Sequence, residues 1–110
     1  MLQTDYKFGE VKTLAAQVEP DDSKVEFKSI MTNNNGGISL LAFKAGQELA
    51  KHLAPAEVMI CVLEGDVDFI MIDRPLHLHK GEFFLMGNGV PHSVKALTDA
   101  KVMLIKIKHD

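Results

Sequence analysis

The side chains in this sequence best suited to chemistry near neutral pH are its histidines, five in 110 residues. Histidine ionises close to physiological pH and ligates metals through a neutral ring nitrogen. His52 lies six positions after Gly46, just ahead of Pro55, Glu57 and the apolar run Val58–Leu63, which stops at Glu64-Gly65-Asp66. That run reads as a strand that brings one histidine to the rim of an apolar interior. His77 and His79 share one face of an extended segment, because strand side chains alternate with a period of two. An H-x-H pair can bind a metal, but no third ligand is obvious beside it, and the pair reads as a solvent-facing polar edge. Cys61 sits between Ile60 and Val62 with no charge to lower its thiol pKa, so it reads as a small buried apolar residue and not as a nucleophile. No serine stands in a nucleophile-elbow setting, and no glycine-rich loop suits a phosphate.

Composition narrows the partners. The chain is long enough for one domain, residues 1–110, with a core that needs no staples. A formal net charge of −3 with scattered lysines excludes an electrostatic pull toward nucleic acid or an anionic membrane. The single cysteine excludes an internal disulfide and fits a reducing, cytoplasmic setting. No apolar run reaches membrane-spanning length, and Met1–Tyr6 carries neither a basic segment nor an apolar signal core. The six methionines fall mostly in apolar runs; they fill core gaps or line an adaptable interior.

The elements that must position these groups are mainly strands. Val11, Leu14, Ala15 and Val18 mark one face of a short helix over Glu10–Glu19, ended by Pro20. Residues 1–23 are then an N-terminal helix and arm, and residues 24–110 a β-barrel. Lys24–Thr32 alternates as a half-buried strand, and Asn33-Asn34-Asn35-Gly36-Gly37 turns it into Ile38–Phe43. Further strands are expected at Val58–Leu63, Val67–Ile72, Leu76–His79, Phe83–Met86, Ser93–Ala96 and Lys101–Lys108, with Asp73-Arg74 as a solvated turn. Short strands between Gly, Asn, Asp and Pro turns argue an antiparallel sandwich or barrel. Val58–Leu63 is apolar at every position, so both its faces need cover. One face lines the barrel; the other, with Met59, Cys61 and Leu63, packs under another sheet or a second subunit.

Two motifs sharpen this. Gly46, His52 and Gly65 fit the pattern G-x5-H-x-H-x3,4-E-x6-G, with Ala54 at its second histidine and Val58 at its glutamate, and Gly81, Gly89 and His92 fit G-x5-P-x-G-x2-H-x3-N, with Gly87 at its proline and Ala96 at its asparagine. On these residues, from about Lys24 onward, the chain resembles a small single-domain cupin. The resemblance implies an all-β fold, a double-stranded β-helix or cupin jelly roll. Metal-binding cupins use three histidines and a glutamate at motif positions. Here His52 and His92 remain, while Ala54 and Val58 stand at the other two.

The resemblance therefore implies a small-molecule-binding cupin with a degenerate or absent metal site. The expected ligand site is His52, Val58, Ile60 and His92, with Phe83 or Phe84 as apolar walls, and the expected ligand is a small carboxylate, sugar or ring compound. The cofactor is either none or a divalent transition metal. For the metal, Glu57 joins His52 and His92 if Pro55 creates a bulge that re-aims the chain. That set suits an isomerase- or dioxygenase-type enzyme. Strict alternation instead turns Val58, Ile60 and Val62 inward and Glu57 away. A third reading is a stand-alone sensor or interaction module that needs a partner chain. Many cupins dimerise, so a homodimer is expected, through the apolar outer face.

Overall fold

The computed structural model describes residues 1–52, 55–71 and 74–108, without the side chains of Lys51 and His52. Ala54, Ile72 and Asp73 lie outside the described residues, and with them parts of the expected motif, strand and turn. Nine strands run in chain order among the described residues: β1 (Glu26–Asn33), β2 (Gly36–Phe43), β3 (Glu48–His52), β4 (Ala56–Glu64), β5 (Asp66–Ile70), β6 (Pro75–His79), β7 (Phe83–Met86), β8 (His92–Ala96) and β9 (Ala100–Lys108). They form a five-stranded sheet, β1-β2-β9-β4-β7, facing a four-stranded sheet, β3-β8-β5-β6. Every strand pair is antiparallel. This is the expected double-stranded β-helix. No described helix is long and apolar enough to cross a membrane.

Alternation builds the interior. Along β4, Ala56, Val58, Ile60 and Val62 are buried while the residues between them face outward. Val67 and Phe69 of β5, Val94 and Ala96 of β8, and Leu41 and Phe43 of β2 close the same core. The β1–β2 hairpin turns through Asn34-Asn35, where the Asn33 side chain accepts the Asn35 N–H. Gly36, not an asparagine, takes the positive φ there, and its open side admits the Lys106 carbonyl, where a Cβ would clash. Gly65 has the same role between β4 and β5: φ is +80°, and a Cβ would stand 2.1 Å from the Asp99 carbonyl oxygen.

The N-terminal segment departs from expectation. The helix over Glu10–Glu19 reduces to one 3-10 turn, Leu14–Gln17, and Val11 is fully exposed. The turn has no side-chain cap and no acid in its first turn, and so short a helix is marginal without packing. Packing favours extension instead. Val18 is extended and buried against Leu40 and Ala42, with Ile30, Leu63 and Met103 around them. The buried ammonium of Lys101 donates to the Ala15 carbonyl and pairs with Glu19 and Glu64, which clasps the segment to the sheet.

So this chain's own arm covers part of the outer face that β4 presents. Leu63 lies under it. Met59 and Cys61 do not: they are half-buried, Cys61 is not fully enclosed, and their strand partners Leu85 and Phe83 are largely exposed.

Candidate functional site

His92 begins β8, and the period of two turns it inward with Val94 and Ala96. It is 5% exposed. Its Nδ1 lies 3.0 Å from the Val90 carbonyl oxygen. A carbonyl only accepts, so Nδ1 carries a hydrogen and donates it to Val90. The imidazole stacks on Phe69 with the ring planes 28° apart and the centroids 6.5 Å apart, and Phe69 meets Phe84 edge to face at 5.1 Å. His92, Phe69 and Phe84 thus form a run of rings inside the barrel. The backbone register sets His52 directly opposite His92 on β3. The side chain of His52 lies outside the described residues.

The remaining expected site residues divide. Val58 and Ile60 are buried in the core and Phe84 packs against it. Phe83 is 57% exposed on the opposite side of β7, so of the two phenylalanines only Phe84 can wall the interior. Glu57 is exposed and faces away from Val58 and Ile60; its Oε2 accepts the Asn88 N–H at 3.1 Å. Among the described residues no bulge turns it inward: β4 and β9 pair regularly at Ala56, Glu57 and Val58, and their irregularity falls between Val62 and Glu64. Glu57 therefore does not join His92. It borders a cleft of about 450 Å³ on the outer face instead, beside Met59, Leu85, Ile105 and Ile107.

His77 and His79 do lie on the solvent side of the four-stranded sheet, as expected, but they have acidic company. Asp68 Oδ1 is 2.9 Å from His77 Nδ1, Asp66 Oδ1 is 3.5 Å from His77 Nε2, and Glu82 Oε1 is 3.2 Å from His79 Nδ1. The signal for these partners is the pairing of D-V-D in β5 with H-L-H in β6, which requires the register of the hairpin.

The family described as Cupin domain matches residues 39–108, well over half of the chain. The chain is a cupin. Solved structures agree on the fold. A conserved protein of unknown function from Streptococcus pyogenes superposes with a TM-score of 0.89 at 20% identity, covering 97% of this chain and 94% of that one. A cupin superfamily protein from Desulfitobacterium hafniense gives 0.87 at 16% identity, with 94% of both chains covered. An RmlC-like cupin protein from Desulfovibrio desulfuricans gives 0.73 at 27% identity, covering 96% and 95%. Among curated proteins no significant match is found. In this cupin the motif position held by Val58 does face the interior, where a valine supplies no ligand atom.

Proposed function

We propose that this cupin binds a small polar molecule beside His92, where the backbone of β8 pairs with that of β3 at His52. The observation that carries the reading is a buried imidazole oriented through Nδ1 by a backbone carbonyl, set among aromatic and aliphatic side chains. An apolar enclosure with a few convergent polar groups is the usual form of a ligand site. The Val90 contact orients the ring, so a ligand is met by a defined atom and little ordering cost remains. A small carboxylate, sugar or ring compound fits that chemistry. The metal-dependent alternative has lost the support of Glu57, which leaves it two imidazoles. Elemental analysis of untagged wild-type and His92→Phe protein decides it, since only a barrel metal is lost with His92.

The test is a thermal-shift screen of small carboxylates, sugars and aromatic acids on the wild-type chain and on His92→Phe and His92→Gln. The phenylalanine keeps the stacking and the glutamine keeps a polar group, so a variant that folds is expected. A compound at 100 times its Kd stabilises by about 2.7 kcal/mol, a rise of several degrees in Tm for this size. The rise should vanish in His92→Phe. An equal rise in both variants and wild type would overturn the reading.

We also propose that the protein is a homodimer, on separate grounds. On the outer face, Leu85, Met59 and Ile105 form one cross-strand row, and Phe83 and Cys61 begin the next, which ends at Met103 beside the arm. Neither row contains a charge. A second copy with the same rows is the complementary partner, since a two-fold contact pairs a patch with itself.

A further inference from the structure

We propose that the outer face of the β5–β6 hairpin is a binding site for a divalent transition metal, with Asp66, His77 and His79 as ligands and with Asp68 and Glu82 holding the two imidazoles. Register brings these residues together. Asp66 pairs with His79, and Asp68 with His77. Residues directly opposite in an antiparallel pair project to the same face. Val67, Phe69 and Leu78 take the core face, so the two acids and two histidines form a square on the solvent side.

The geometry is close to what an ion needs. One ligand atom from each of Asp66, His77 and His79 lies within 4.8 Å of the other two. His77 Nε2 and Asp66 Oδ1 are 3.5 Å apart. A tetrahedral ion with bonds of about 2.1 Å spaces its ligand atoms about 3.4 Å apart, so that edge is already set.

The support behind the ligands is also in place. His77 Nδ1 faces Asp68 at 2.9 Å and His79 Nδ1 faces Glu82 at 3.2 Å. A carboxylate that takes the Nδ1 hydrogen leaves Nε2 as the coordinating atom and fixes the ring, the usual support of a metal-bound histidine. Glu82 Oε1 also accepts the His79 N–H, which holds that carboxylate in turn. Two imidazoles and one carboxylate favour zinc, cobalt, nickel or copper over magnesium or calcium. Three protein ligands on an exposed face leave the remaining position to water or to an outside ligand. This site lies on the opposite face of β5 from Phe69, and so apart from the barrel interior.

The test uses the full chain without a histidine tag, stripped with chelator and titrated with zinc by calorimetry and with cobalt(II) by visible absorption. One ion per chain is expected, with the strong cobalt bands of a four-coordinate site. His77→Gln and His79→Gln should each weaken binding by at least about tenfold, and Asp68→Asn by roughly 10–100-fold without abolishing it. These are exposed substitutions, and circular dichroism checks the fold. No binding at micromolar metal would overturn the proposal. So would binding unchanged in His77→Gln, or binding lost only in His92→Phe, which would put the ion in the barrel.

Discussion

His92 and His77 are two histidines of one barrel with opposite surroundings. His92 faces inward against Phe69 and gives its Nδ1 hydrogen to a carbonyl. His77 faces solvent between two carboxylates, and its pKa is raised above the ordinary value, first by the hydrogen bond to Asp68 and then by the charges of Asp68 and Asp66. Lys95, across the sheet from Asp68, pairs with Glu48. In chelator-treated protein the His77 ring should titrate above its usual range in an NMR pH series, and Asp68→Asn should bring it back. The sign follows from linkage: a raised folded pKa stabilises the fold below the unfolded value, and the contribution is lost as pH rises through the folded one. An unshifted His77 would contradict the Asp68 contact. Neither surrounding is legible at the residue scale. That His52 and His92 matter can be read from motif spacing, but the outward turn of Glu57 and of Phe83 depends on which face of β4 and β7 meets the core.

At the scale of elements, hairpins read well where turn residues are strong. Asn-Asn-Gly between β1 and β2 and Glu-Gly-Asp between β4 and β5 place their strands within a residue or two. Gly65→Ala tests one of these directly. It adds a Cβ at positive φ against backbone, so a loss of about 1–3 kcal/mol is expected in urea unfolding, and an unchanged midpoint would contradict the close approach. β3 reads poorly, because Glu-Leu-Ala-Lys-His has little strand propensity. It is a strand because β8 pairs with it and because Gly46 and Gln47 bond to the backbone of Ala96. The N-terminal segment misleads in the opposite direction. Its apolar spacing suits a helix, yet docking of Val18 and the Lys101 clasp favour an extended path, an override of local propensity by tertiary packing. The D-V-D and H-L-H segments show the same limit. Each is visible alone, and only the register makes them a cluster.

For the whole molecule, the outer face of the five-stranded sheet is divided between the arm and an uncovered apolar strip. Leu85 and Ile107 are 73% and 64% exposed there. Light-scattering mass at micromolar concentration should give twice the chain mass, and Leu85→Glu with Ile107→Glu should give the monomer. A monomeric wild-type chain would contradict the dimer without touching the barrel site, which belongs to the interior. The central claim is that a ligand meets His92. Its most direct test is the ring-nitrogen spectrum of 15N-histidine-labelled protein as a compound from the thermal-shift screen is added. The His92 Nε2 resonance should move saturably while Nδ1 stays protonated by its contact with Val90. A ligand that stabilises the protein yet leaves both His92 nitrogens unmoved would contradict it.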